Sequence, residues 1–147
     1  YVSLPKLYAD SDVISLHAPL SQVTLHQIDA KAVAQMKNGV MLINTGRGAV
    51  RDTAAVINRL KSGKIGYLGL DVYEQEGDLF FQDLSNQVIQ GDIFERLLTF
   101  PNVLITGHQG FFTQEALSCI AQTTIQNISQ FEQNGQCLNE VTMELLK

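Results

Sequence analysis

Three kinds of residue in this chain could do chemistry together: Arg47, His108, and the acids Asp71, Glu74 and Glu76. Each follows a short apolar run. Residues 40–44 precede Thr45-Gly46-Arg47-Gly48, residues 65–70 precede Asp71-Val72-Tyr73-Glu74-Gln75-Glu76, and residues 103–106 precede Gly107-His108. The planar fork of an arginine suits a carboxylate or phosphate. A histidine changes charge near neutral pH and suits general acid–base work, and a carboxylate partner would favour its protonated form. The residues alone leave Glu74 and Glu76 both open as that partner, with Asp71 the nearest strand-end acid. Read singly, Arg47 could instead be a surface arginine paired to an acid, and His108 a capping or core histidine. Gly46 and Gly48 tilt the reading of Arg47, because they let backbone amides approach a ligand. A parallel sheet would gather the three strand ends at one edge, where ligands of open α/β sheets bind. We therefore read one active site. His17 and His26 read as structural or exposed, and Phe111-Phe112 as core rather than substrate wall.

The elements that must position these groups follow in order. Residues 4–11 form a short helix with Pro5 in its first turn. A strand over 13–17 stops at Pro19, which lacks a ladder donor. Residues 21–28 are a polar loop or turn, Asp29 caps a helix over 30–36, and Asn38-Gly39 stops it. A strand over 40–44 leads through the Arg47 loop to a helix capped by Asp52, ending near Ser62-Gly63, and then to a strand over 65–70. Strand, helix, strand repeated in this way predicts parallel pairing with right-handed crossovers. Residues 74–91 break the rhythm with a long polar stretch around Leu79-Phe80-Phe81, the length of a functional or lid-like loop. A short helix over 92–100 with Asp92 as cap, a strand over 103–106, and a long helix over 113–130 terminated at Asn134-Gly135 complete the chain.

The bulk composition excludes several classes. A chain of 147 residues holds one domain with a real core, and 45% apolar with 17% charged residues is ordinary for a globular protein. A net charge of −5 and the lack of any lysine or arginine run argue against a nucleic-acid surface. No apolar stretch approaches the roughly 20 residues that span a bilayer. The start carries no signal-like segment and no Met, which leaves processing and truncation both open. Cys119 and Cys137 lie outside any C-x-x-C pattern; Cys119 reads as a buried free thiol, and this usage suits a reducing cytosol. We find no internal repeat, zinc-ligand spacing, G-x-S-x-G elbow, Walker loop or G-x-G-x-x-G fingerprint.

The runs Leu16-His17-Ala18-Pro19-Leu20, Met36-Lys37-Asn38-Gly39-Val40, Ile43-Asn44-Thr45-Gly46-Arg47-Gly48, Gly69-Leu70-Asp71-Val72-Tyr73-Glu74-Gln75-Glu76 and Pro101-Asn102-Val103-Leu104-Ile105-Thr106-Gly107-His108-Gln109 carry a resemblance. In order and spacing the chain resembles the D-isomer-specific 2-hydroxyacid dehydrogenase family. The insertion around residues 78–94 resembles its fermentative lactate branch. The resemblance implies an α/β fold: the second half of a Rossmann-type parallel-sheet NAD-binding domain over 1–110, with a C-terminal helix and tail over 111–147 returning to the substrate domain. It implies that the fingerprint and the ribose-binding acid lie upstream, so that the chain is the carboxyl-terminal part of a longer polypeptide and inactive alone.

The activity implied is NADH-dependent reduction of pyruvate to D-lactate. A larger 2-keto acid, or a regulatory NAD-binding module without catalysis, are the alternatives. Arg47 resembles the arginine that grips the substrate carboxylate, His108 the acid that protonates the carbonyl oxygen, and Glu76 the acid paired with that histidine. Ala18 and Pro19 match positions on the adenine side of NAD, Thr24 one where asparagine is frequent, Thr45 and Gly46 the loop beside the nicotinamide ribose, and Asp71 the acid near the nicotinamide. Phe111 matches an apolar wall for the substrate methyl group. The family further implies a homo-oligomer; the cysteine usage reads as cytoplasmic, and without metal-ligand spacing no metal is expected.

Overall fold

The computed structural model describes residues 1–74 and 92–143. The chain divides into two compact units, Tyr1–Gln109 and Gly110–Lys147. In the first, helix α1 (Leu4–Asp10) leads to β1 (Val13–Leu16), α2 (Ala30–Gln35), β2 (Val40–Asn44), a 3-10 turn (Gly48–Val50), α3 (Thr53–Lys61), β3 (Ile65–Leu70), α4 (Asp92–Leu98) and β4 (Val103–Ile105). The four strands lie side by side in chain order, and every pair is parallel. Each crossover passes through a helix, as parallel pairing requires.

Local chemistry sets the boundaries. Asp29 accepts the N–H groups of Lys31 and Ala32, and Asp52 accepts that of Ala55, so two helices start on carboxylate caps. Gly63, at φ 74°, ends the turn before β3 in a conformation that favours glycine. Alternation then decides the faces. Ile14, Leu16, Val40, Leu42, Leu68 and Leu70 are buried in one cluster with Val33 of α2, Val56 and Leu60 of α3, and Leu97 of α4. Each such side chain contributes about 1.5–3 kcal/mol by leaving water. The opposite face carries Val13, Tyr67 and Leu104, all exposed. Among the described residues no helix is long and apolar enough to cross a membrane.

Several boundaries differ from the sequence reading. β1 and β4 each stop one residue earlier, and α4 begins at Asp92 rather than after it. The 3-10 turn replaces an expected irregular loop. The lid-like stretch, with Leu79-Phe80-Phe81, falls outside the described residues.

The second unit is dominated by α5 (Gln114–Asn134), four residues longer than the expected end at Gln130. Thr113 caps it by accepting the Ala116 N–H, and Gly135 at φ 69° closes it. Cys119 is exposed, contrary to the expectation of a buried thiol, and Phe111 and Phe112 are exposed rather than core. The physical reason is shared: a lone helix has no second layer within its unit against which to bury a face.

Candidate active site

Parallel pairing puts the carboxyl ends of β1 to β4 on one edge, followed respectively by His17-Ala18-Pro19, Thr45-Gly46-Arg47, Asp71 and His108. The Arg47 loop is built by its own first residue. Asn44, the last residue of β2, is fully buried. Its Oδ1 accepts the Gly46 N–H at 3.1 Å, and its Nδ2 donates to the Arg47 carbonyl at 3.0 Å. Arg47 is extended, at φ −136° and ψ 134°, and its exposed guanidinium donates through Nη1 to the Gly46 carbonyl within its own loop at 3.0 Å. Among the described residues no carboxylate pairs with it.

The two glycines beside Arg47 are used for chain packing. A Cβ on Gly48 would lie 2.1 Å from the Tyr73 carbonyl carbon, so glycine is needed where this loop meets the end of β3. A Cβ on Gly46 would meet the Leu16 carbonyl oxygen at 3.2 Å and that of Ala18 at 3.3 Å. Gly46 thus presses the Arg47 loop against Ala18, and Thr45 Oγ1 sits 3.5 Å from His17 Nδ1. Thr24 lies one loop further. Its hydroxyl donates to the Pro19 carbonyl at 2.6 Å and accepts the Ser21 N–H at 2.8 Å, so it shapes the Pro19 turn. A cleft of about 340 Å³ opens beside β1, with Ile14, Leu16, His17, Ala18 and Ile28 in its lining.

On the other side of the Arg47 loop, the Asp71 N–H donates to the Asn44 carbonyl at 2.9 Å, and the Asp71 carbonyl accepts the His108 N–H at 2.7 Å. Asp71 Oδ1 accepts the Thr106 hydroxyl and, at 2.9 Å, the Gln109 N–H. His108 itself has φ 54°, a left-handed conformation unusual for a side chain-bearing residue. The structure therefore brings Arg47, Asp71, His108, Thr45, Gly46, Ala18 and Pro19 to adjacent strand ends. Phe111 belongs to the second unit, and Glu76 lies outside the described residues.

Glu74, the other candidate partner of His108, is engaged elsewhere. Its Oε1 lies 2.7 Å from His26 Nε2, and its Oε2 accepts the Thr53 hydroxyl at 2.8 Å. Burial pushes its carboxyl up, but the His26 and Thr53 hydrogen bonds and the His26 charge outweigh this and hold it below its ordinary value. Thr53 in turn accepts Arg51 Nη1 at 2.8 Å. Arg51 is fully buried, under the Tyr73 ring at 5.8 Å, and burial pushes its guanidinium down to about 10. Its Nε and Nη2 have no protein partner among the described residues. Sequence reasoning missed Asn44, Arg51 and Thr53. Asn44 carried a signal, a polar residue in an inward register of β2; buried Arg51 carried none.

A family model described as D-isomer specific 2-hydroxyacid dehydrogenase, NAD binding domain, matches residues 1–110. The chain belongs to that family. The D-lactate dehydrogenase of Escherichia coli is 57% identical over 141 residues, covering 96% of this chain and 43% of that protein. The solved D-lactate dehydrogenase of Salmonella is 56% identical at TM-score 0.82, covering 97% of this chain and 43% of its own. The D-lactate dehydrogenase of Aquifex aeolicus, solved with NAD and lactic acid, is 34% identical at TM-score 0.82, covering 97% and 45%. This 2-hydroxyacid dehydrogenase chain thus spans less than half the length of the relatives it matches.

Proposed function

We propose that the full-length protein containing this chain reduces pyruvate to D-lactate with NADH. The observation that carries the reading is the exposed Arg47 fork, which pairs with no carboxylate among the described residues, with His108 two strands away on the same sheet edge and Asp71 between them. The Salmonella, E. coli and Aquifex relatives, named as D-lactate dehydrogenases, support the substrate class.

The chain's own residues fit a dinucleotide at this edge. Gly46 brings the β1 and β2 loop backbones together, with small Ala18 in the lining of the cleft. Ala18, Pro19, Thr45, Gly46 and Asp71 would hold the cofactor, with Thr24 fixing the Pro19 turn. When bound, NADH supplies a hydride to the carbonyl carbon. Arg47 binds the substrate carboxylate through its fork and fixes the carbonyl's direction. Protonated His108 holds the carbonyl oxygen and gives it the ring proton as negative charge develops there. Glu76, at the position the family resemblance implies, pairs with His108 and orients its ring, since Glu74 is engaged with His26 and Thr53. Residues 111–147 join the substrate domain, where α5 buries Leu117, Ile120, Ile125, Ile128 and Phe131, and Phe111 walls the methyl side of the substrate. We place the enzyme in the cytoplasm, consistent with its two free cysteines, and as a homo-oligomer, following the family.

The test is NADH oxidation by the full-length protein with pyruvate and bulkier 2-keto acids in parallel, followed by chiral analysis of the product. Consumption with pyruvate giving D-lactate supports the reading. Preference for a bulkier acid moves the substrate and keeps the mechanism, whereas NADH binding without turnover on any acid rejects catalysis.

A further inference from the structure

We propose that Asn44 is a positioning residue for substrate binding, acting through Arg47; this rests on the reading of Arg47 as the carboxylate-binding group. Asn44 ends a strand whose alternate residues, Val40 and Leu42, are buried and apolar, so its inward register places an amide where a hydrocarbon would otherwise pack. A fully buried amide must satisfy its donors and acceptor locally. Here both ends are spent on one loop: Oδ1 on the Gly46 N–H, Nδ2 on the Arg47 carbonyl. These partners also fix the amide's orientation, because the reverse placement would oppose donor to donor and acceptor to acceptor.

The consequence is geometric. The Arg47 main chain is clamped from beneath by Asn44, and the next residue, Gly48, is wedged against Tyr73 and Glu74. Between these points Arg47 has little freedom to rotate, and its exposed guanidinium folds back on the Gly46 carbonyl. Asn44 further accepts the Asp71 N–H on its own carbonyl, and Asp71 accepts the His108 N–H. A continuous hydrogen-bonded thread therefore runs from Arg47 through Asn44 and Asp71 to His108. Preorganisation of this kind matters because a displacement of about 1 Å in a binding group costs up to ~100-fold in rate.

The test uses the full-length enzyme with NADH and pyruvate, as unaltered protein, Asn44→Asp, Arg47→Lys and the double variant. Asn44→Asp is isosteric and keeps the acceptor for Gly46, but when ionised it sets an oxygen against the Arg47 carbonyl. We expect its KM for pyruvate to rise about tenfold or more at neutral pH, with a smaller change in kcat. On acidification the protonated carboxyl regains a donor, so the defect shrinks relative to unaltered enzyme. The double variant loses less than the sum of the single losses, because the second change acts on an arginine already misplaced. Additive losses, or an unchanged KM, overturn the proposal. Asn44→Ser, too short to reach the Arg47 carbonyl, serves in the same cycle should Asn44→Asp fail to fold. Unaltered enzyme that reduces no 2-keto acid rejects the functional reading and this role with it; an active enzyme with an additive cycle rejects the role of Asn44 alone.

Discussion

The Asp71 carbonyl accepts the His108 N–H at 2.7 Å, and the Asp71 carboxylate takes the next N–H, that of Gln109, at 2.9 Å. One acid at the end of β3 thus holds both sides of the histidine turn that follows β4. This matters because His108 sits at φ 54°, where a residue with a side chain is disfavoured by about 1–2 kcal/mol. The turn persists because its neighbours bind it. An acid read from sequence as a cofactor contact is also the scaffold of the candidate proton donor.

His108→Gln in the full-length enzyme should lower kcat by about 10²–10⁴-fold, the usual worth of a positioned general acid. NADH affinity should change little, since the ring is proposed to face the substrate carbonyl. Steady-state kinetics beside a fluorescence titration of NADH separate the two. Normal turnover would remove His108 from the chemistry.

Arg47→Lys keeps the charge and loses the fork. An ammonium cannot make two parallel hydrogen bonds to one carboxylate, so kcat/KM for pyruvate should fall about 10–100-fold, equivalent to ~1.5–3 kcal/mol of lost charged hydrogen bonding. Most of that should sit in KM. An unaltered KM would mean the fork does not meet the substrate.

How much of this was legible follows from where the information lay. β2 and β3 were readable to the residue, because each apolar run follows a glycine turn and gives way to a polar residue, Asn44 or Asp71. The caps Asp29 and Asp52 were readable because a carboxylate before an apolar helical pattern has a local meaning. The placement of Arg47 and His108 at strand ends of one sheet edge was readable from the apolar runs before them. The stop of α5 at Asn134-Gly135 was readable too, although apolar periodicity alone carried the helix only to about Gln130. Two features were not. Cys119 looked buried because apolar neighbours on a helix signal a face without naming what covers it. Arg51 depends on packing: Thr53 lies two residues on, but the Tyr73 ring and the Glu74 carboxylate that Thr53 reaches come from the stretch after β3, and nothing near Arg51 in sequence announces its burial.

Gly48→Ala should destabilise the protein by about 1–3 kcal/mol, the range for overpacking, because the added methyl would sit 2.1 Å from the Tyr73 carbonyl carbon and 2.5 Å from the Glu74 nitrogen. Both are backbone atoms and cannot swing aside. Gly63→Ala is the comparison: nothing lies within 4 Å, so it should cost only the ~1 kcal/mol of a left-handed alanine at φ 74°. Denaturant midpoints rank the two, and equal or reversed losses would show that the loop gives way.

Glu74 predicts the acid limb of stability. Its carboxyl is held below the ordinary value of 4.5 by His26 and Thr53 against the opposing effect of burial. A carboxyl whose folded value is depressed contributes stability that is full above the unfolded value and lost as pH falls through the folded one. Glu74→Gln removes the titration, so the melting temperature of the variant should fall less steeply than that of the unaltered protein between about pH 5 and pH 3. At neutral pH the variant should be the less stable of the two, since a neutral amide pairs more weakly with His26 and removes the stronger of the carboxylate charges, Glu74 and Asp52, that offset the burial of Arg51. The two melting curves should therefore converge on acidification. Parallel curves would mean that Glu74 titrates alike in the folded and unfolded chain.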